Sequence, residues 1–146
     1  MKNTHWQGDL QQLSHLRLFQ NVAIGSLTQL LKGFRACELE PGEILLSPFK
    51  RNQYLYLLLD GELKVYLGSL DNLAVRTLGP GECAGEISFI DNQAPSAYVV
   101  STTRSVALRL HRKALLGLFS QSPQLMQNLL ELLRSEERRV GKECRL

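Results

Sequence analysis

Apolar residues near the start of the chain recur every three or four positions. They are Leu10, Leu13, Leu16, Leu18, Phe19, Leu27, Leu30, Leu31 and Phe34. This spacing places the apolar side chains on one face of a helix, where they can pack against a core. The pattern therefore predicts that short amphipathic helices come first in the chain.

The middle of the chain changes to alternating and short apolar runs separated by turn-forming pairs such as Pro41-Gly42 and Ser47-Pro48. The runs predict strands over residues 43–46, 54–59, 62–67, 73–78, 96–101 and 105–110. Many short strands with frequent turns are typical of antiparallel sandwiches and barrels. Asp60-Gly61 predicts a tight hairpin, because Asp-Gly supplies the positive φ that such a turn requires.

The last part of the chain returns to helical spacing. Residues 112–119 predict one short helix, and Ser122-Pro123 offers a cap and a first-turn proline for a final helix. The apolar positions of this final helix are Leu125, Met126, Leu129, Leu130, Leu132 and Leu133. Leu125, Leu129, Leu132 and Leu133 can form a dimer seam or pack against the domain's own sheet, and both interpretations stay open.

Length and composition indicate one domain of 146 residues, with 44% apolar and 21% charged residues. No apolar run approaches the roughly 18 residues that a membrane span needs, and the N-terminus is too polar for the apolar part of a signal peptide. We therefore expect a soluble, cytoplasmic protein that does not contact membranes.

The net charge of +3 would indicate a nucleic-acid partner only if the basic residues clustered on the folded domain. The basic residues crowd the end of the chain, at Arg134, Arg138, Arg139, Lys142 and Arg145. Elsewhere both signs are mixed without a basic stripe, so we expect no direct nucleic-acid binding. Residues 1–134 are predicted to be the domain and 135–146 a non-native or disordered basic tail. A solvated end of the last helix is the alternative.

Candidate catalytic and metal-binding residues are few and scattered. The cysteines are Cys37, Cys83 and Cys144, and the histidines are His5, His15 and His111. None of them has the spacing of a metal site or of a nucleophile with its base, so we predict no enzyme activity, metal or disulfide. Cys83 is interpreted as a small buried apolar residue, with redox or metal sensing as the alternative.

Residues 79–99, here called the cassette, combine a tight turn, a glycine-opened helical turn and a return strand. The tight turn is Gly79-Pro80-Gly81, the helical turn starts at Gly85-Glu86, and the return strand follows Pro95-Ser96. Unpaired N–H groups at the start of a helical turn suit an anionic phosphate. The cassette therefore predicts a site for a small phosphorylated ligand.

The cassette resembles the phosphate-binding cassette of cyclic nucleotide-binding domains, a family that includes catabolite activator protein-like regulatory sensors. The resemblance covers roughly residues 13–133 and extends to Leu39-Glu40-Pro41-Gly42 and Asp60-Gly61-Glu62. It implies a mainly β fold with flanking helices. The expected architecture is an antiparallel double-stranded β-helix, or jelly-roll sandwich, of about eight strands with N-terminal helices and a C-terminal helix.

The resemblance implies roles for the first half of the cassette. Gly85 would let the backbone approach the ligand closely, and the amides of Glu86, Ile87 and Ser88 would face the phosphate. Glu86 also matches the family carboxylate that accepts a hydrogen bond from the ribose 2'-hydroxyl. Its alternative role is a favourable charge at the start of a helix, worth about 0.3–1 kcal/mol.

The second half of the cassette departs from the family pattern. Ser96 and Ala97 match the Ser-Ala of the return strand, but Pro95 stands where the family has a phosphate-binding arginine. Because a charged hydrogen bond contributes about 1.5–3 kcal/mol, this loss weakens a nucleotide about ten- to several-hundredfold. Arg76 is the first candidate substitute, with a solvated strand residue as its alternative, and Arg104 is expected to lie far from the site.

The implied function is a bacterial-type sensor that binds a small anion such as cyclic AMP or cyclic GMP and needs no other cofactor. Binding would shift the C-terminal helix, which can also carry a homodimer contact. One alternative is a degenerate domain that acts as a dimerisation or interaction scaffold. Another is a sensor retuned to a cyclic dinucleotide or an apolar organic anion.

Overall fold

The computed structural model describes residues 2–5, 10–85 and 97–143, which form nine strands and five helical segments. The helical segments are α1 (Leu10–Ser14), a 3-10 turn (Arg17–Phe19), α2 (Ile24–Gly33), α3 (Arg112–Phe119) and α4 (Pro123–Glu143). The strands are β1 (Lys2–His5), β2 (Arg35–Leu39), β3 (Ile44–Leu46), β4 (Tyr54–Asp60), β5 (Leu63–Leu67), β6 (Arg76–Leu78), β7 (Cys83–Ala84), β8 (Ala97–Ser101) and β9 (Ser105–His111).

The strands form two sheets in which every described pair is antiparallel. One sheet has the order β1-β2-β9-β4-β7 and the other has the order β3-β8-β5-β6. The helices before β2 and after β9 flank this sandwich. The predicted fold class, a mainly β antiparallel jelly roll with flanking helices, is confirmed.

Two cores lie on opposite faces of the five-stranded sheet. On one face, Leu55 and Leu57 of β4 pack with the helices. On the other face, Tyr56 and Leu58 pack with residues of the four-stranded sheet. Because β4 is covered on both sides, its sequence is a continuous apolar run without alternation with polar residues.

The hairpin predicted at Asp60-Gly61 is wrong, because β4 and β5 lie in different sheets. Gly61 does adopt a positive φ of 100°, but it forms a corner between the sheets. A Cβ at this position would lie 2.7 Å from the Cα of Ser105. The glycine is therefore required by the close approach of two backbone segments as well as by its conformation.

Two strands in the first part of the chain were not predicted. Residues Lys2–His5 pair with Arg35–Leu39, which in turn pairs with β9. The first of these is a polar strand at a sheet edge, where pairing depends on backbone groups and leaves no apolar pattern. The strand predicted over 73–78 is shorter, since it begins at Arg76, and Leu73 is almost fully exposed.

Helix α4 packs against its own domain. Leu125, Leu129 and Leu132 are buried in the core between the helices and the five-stranded sheet, so the dimer-seam interpretation is wrong for these three residues. The helical backbone continues to Glu143, beyond the predicted domain boundary at residue 134, which stays a prediction. Within the described ranges, no helix is long and apolar enough to cross a bilayer.

Candidate functional site

The turn that leads into the cassette is held by backbone and carboxylate hydrogen bonds. Gly81 has a positive φ of 91°, and its N–H donates to the carbonyl of Leu58 at 2.7 Å. The N–H of Gly79 donates to the Glu82 carboxylate at 3.2 Å. The predicted Gly-Pro-Gly turn is therefore present, and it places β7 beside β4.

Gly85 follows β7 directly and has a positive φ of 85°. A Cβ built on this residue would lie 2.6 Å from Nδ2 of Asn52 and 3.0 Å from the carbonyl oxygen of Tyr54. Both the backbone conformation and the lack of space therefore require glycine here. The expected close approach of the Gly85 backbone to a ligand stays a prediction, because the approach that the structure shows is to Asn52 and Tyr54.

Asn52 is the residue at this site that the sequence analysis missed. It is buried, its Nδ2 donates to the carbonyl of Tyr54 at 2.7 Å, and its Oδ1 accepts from the Tyr54 N–H at 3.0 Å. These two bonds hold the loop that Gly85 packs against. A lone asparagine before a strand carries no pattern that indicates this role, because its partner Gly85 is 33 positions away.

Arg76 forms an ion pair with Glu82, across the turn that opens the cassette. The Arg76 side chain is only 10% exposed, so its interpretation as a solvated strand residue is wrong. Arg104 lies in the turn between β8 and β9, is largely exposed, and has its guanidinium 4.0 Å from the carboxylate of Glu38. A ligand that used Arg76 would have to share it with Glu82.

The structure brings together only part of the predicted site. Gly85 and Arg76 flank the turn at the start of the cassette, and Ala97 is buried at the start of β8, opposite Leu67 of β5. Five further predicted site residues, Glu86, Ile87, Ser88, Pro95 and Ser96, lie outside the described residues. The predicted burial of Cys83 is confirmed.

A polar cluster lies on the face of the five-stranded sheet that turns toward the other sheet. Arg109 places its guanidinium 4.3 Å from the centre of the Tyr54 ring. Burial raises the pKa of Tyr56 to about 12 and that of the Cys37 thiol to about 11, and the charge of Arg109 opposes both shifts. Both groups are therefore protonated at neutral pH.

The loop between β3 and β4, residues 47–53, contacts the cassette at two places, Gly85 and Tyr98, which flank residues 86–96. At the first place, the Asn52 side chain lies against Gly85, as described above. At the second, the Phe49 ring packs edge-on against the ring of Tyr98, with 6.2 Å between centroids. Tyr98 follows the predicted Ser-Ala pair directly, so this loop contacts the cassette on both sides of residues 86–96.

Comparison with known proteins identifies what this arrangement resembles. The sequence profile of the family described as "Cyclic nucleotide-binding domain" matches residues 36–122, which is more than half of the chain. The Cyclic AMP receptor protein of Thermus thermophilus is 29% identical over 132 residues, which are 88% of this chain and 61% of that protein.

Solved structures of proteins with a similar fold include members of this family. The catabolite activator protein of Thermus thermophilus superposes with a TM-score of 0.74 at 28% identity, over 87% of this chain and 61% of that one. A cyclic nucleotide-binding domain from Methylobacillus flagellatus reaches a TM-score of 0.77 at 25% identity, over 92% and 79% of the two chains. The chain spans between 9% and 61% of the length of the curated relatives that it matches.

Proposed function

Because the chain belongs to the cyclic nucleotide-binding domain family, we propose that it is a cytoplasmic, non-catalytic regulatory domain that senses a cyclic nucleotide or a related small anion. The observation that carries this proposal is the geometry of Gly85. This residue turns the backbone in the left-handed region, directly before residues 86–96, and its surroundings leave no room for a side chain. A turn of this kind can present successive N–H groups to an anion.

The roles of the remaining cassette residues belong to the same proposal. The amides of Glu86, Ile87 and Ser88 bind the phosphate, and the Glu86 carboxylate accepts a hydrogen bond from the ribose. Ser96 and the N–H of Ala97 complete the phosphate contacts from the return strand. These roles are consistent with the positions of Gly85 and Ala97, which begin and end this segment.

The position of β7 supports signalling through the C-terminal helix. Cys83 packs in the same core cluster as Leu125 and Leu129 of α4, and only Ala84 separates it from Gly85. A ligand that moves the start of the cassette would therefore displace a side chain in the core against which α4 packs. Met126 and Leu130 are exposed on α4 and are available for a homodimer contact.

A second candidate function is a degenerate domain that serves as a dimerisation or interaction scaffold. Two observations favour it. Pro95 has neither the charge nor the N–H of the family arginine. Arg76, the first candidate substitute, is ion-paired with Glu82.

Isothermal titration calorimetry of the purified domain separates the two functions. Cyclic AMP, cyclic GMP and a cyclic dinucleotide are titrated into the natural sequence and into the variant Glu86→Ala. Glu131→Ala is the matched control, since it removes an exposed carboxylate on α4. The sensor function predicts micromolar binding that Glu86→Ala weakens by about tenfold or more and Glu131→Ala leaves unchanged.

The absence of heat for all three ligands at millimolar concentration would refute the sensor function and leave the scaffold. Binding of the cyclic dinucleotide alone would indicate a retuned sensor. Pro95→Arg restores the family charge, so it is expected to strengthen cyclic AMP binding by about tenfold or more. An unchanged affinity in that variant would show that position 95 does not face the phosphate.

A further inference from the structure

We infer that the loop of residues 47–53 supplies the positive charge of the anion site, through Lys50 and Arg51. This inference rests on the proposed function for the identity of the ligand. The loop contains one lysine and one arginine and no acidic residue. Both cations are exposed, and neither forms an ion pair within the described part of the chain.

The contacts of the loop place these cations beside the cassette. Phe49, which precedes Lys50, packs on Tyr98 at the end of the cassette, and Asn52, which follows Arg51, packs against Gly85 near its beginning. Lys50 and Arg51 therefore lie between two anchor points, each of which touches one end of the segment that would hold the ligand.

Hydrogen bonds hold the loop mainly on the Asn52 side, because the Phe49 ring is 84% exposed despite its contact with Tyr98. The Asn52 side chain makes two hydrogen bonds with the backbone of Tyr54, and the carbonyl of Gln53 accepts from the N–H of Arg112 at 2.8 Å. Inside the loop, the N–H of Lys50 donates to the carbonyl of Ser47 at 3.3 Å. A fixed backbone reduces the ordering that the two long side chains need before they can bind an anion.

Other described cations near the site already have contacts. Arg76 pairs with Glu82, and the Arg109 guanidinium lies over the Tyr54 ring. Only two residues separate Pro95, which lacks the family charge, from Tyr98, which the loop contacts. The positive charge that is absent from the cassette is thus present on the loop that contacts Gly85 and Tyr98.

The test compares three variants by calorimetry, with cyclic AMP and inorganic pyrophosphate as probes. Lys50→Ala/Arg51→Ala removes both charges. Lys50→Arg/Arg51→Lys keeps them. Lys32→Ala/Lys113→Ala removes two exposed charges from α2 and α3, on the helical side of the fold.

We expect the charge-removing loop variant to weaken cyclic AMP about ten- to a hundredfold, while the other two variants stay within about threefold of the natural sequence. The affinity of the natural sequence should also fall with added salt more steeply than that of the loop variant. In a Pro95→Arg background the loss should shrink, because the cassette then has its own cation.

The outcomes distinguish this inference from the proposed function. Cyclic AMP binding that the loop variant leaves unchanged would overturn the inference and keep the sensor function. If no cyclic nucleotide binds but pyrophosphate binds and requires Lys50 and Arg51, the anion site stands and the nucleotide-sensing function fails. Pyrophosphate binding that is equal in all variants, together with no nucleotide binding, would overturn both.

Discussion

Replacing Gly85 by alanine tests whether the start of the cassette is packed as closely as the structure shows. The new Cβ would lie 2.6 Å from the Asn52 amide nitrogen and 3.0 Å from the Tyr54 carbonyl oxygen. The left-handed backbone costs alanine about 1–2 kcal/mol. Displacing the Asn52 amide weakens two hydrogen bonds, and each contributes about 0.5–1.5 kcal/mol. We expect Gly85→Ala to lower the free energy of unfolding by about 2–5 kcal/mol.

Gly42→Ala is the matched control. Gly42 has nearly the same φ, 87°, but a Cβ there would meet no atom within 4 Å. This variant should therefore show only the backbone cost of about 1–2 kcal/mol. Urea denaturation followed by far-UV circular dichroism measures both variants, and an unchanged m-value confirms that only stability has changed.

A double-mutant cycle isolates the steric part of the loss. Asn52→Ala removes the amide that the new methyl group would strike, so Gly85→Ala should cost about 1–2 kcal/mol less in that background. If Gly85→Ala and Gly42→Ala agree within about 0.5 kcal/mol, the close packing at Gly85 is refuted. Additive effects of Gly85→Ala and Asn52→Ala would show that the two residues do not interact.

Two further predictions concern the packing of the domain. Asn128 is buried, and its Nδ2 donates to the carbonyls of Leu18 and Gln20, both at 2.8 Å. In urea denaturation, Asn128→Ala should lower the free energy of unfolding by about 2–4 kcal/mol. The control Gln127→Ala, which changes an exposed neighbour, should lower it by about 0.5 kcal/mol or less. Equal losses in the two variants would contradict the role of the Asn128 hydrogen bonds. Burial raises the pKa of the Cys37 thiol in the folded protein to about 11, whereas its ordinary value is 9.0. Because the unfolded chain loses this proton first as pH rises, the free energy of unfolding falls between these two pH values. Between pH 8.5 and 10.5 the natural sequence should lose about 2 kcal/mol more than Cys37→Ala, and parallel pH profiles would show that Cys37 does not titrate with unfolding.

Features that depend on neighbouring residues were predicted well. The helical spacing of leucines predicted the helices around Leu13 and Leu129, both of which are buried in the helix-side core. The Gly-Pro-Gly turn and the positive φ of Gly81 follow from the local conformations that glycine and proline allow. Strands with apolar runs, such as β4 and β9, were placed within a residue or two, because burial on both faces leaves a continuous apolar pattern.

Features that depend on distant partners were not predicted. The sequence around Asp60-Gly61 matches a hairpin, yet the chain crosses there to another sheet and passes close to Ser105. The polar strand β1 shows no pattern, because its pairing with β2 uses backbone groups. The ion pair of Arg76 with Glu82 could not be predicted, because the turn between the two residues brings their side chains together only in the folded chain.

The amino-acid pattern alone predicted the fold class, the flanking helices, the apolar strands and a cassette in which a proline replaces the family arginine. These depend on periodicity and on the local conformations that glycine and proline allow. The packing of Asn52 against Gly85, and of the loop carrying Lys50 and Arg51 against Gly85 and Tyr98, became visible in the folded structure. These contacts join residues far apart in the chain, and the packing of the two sheets decides which distant residues come together.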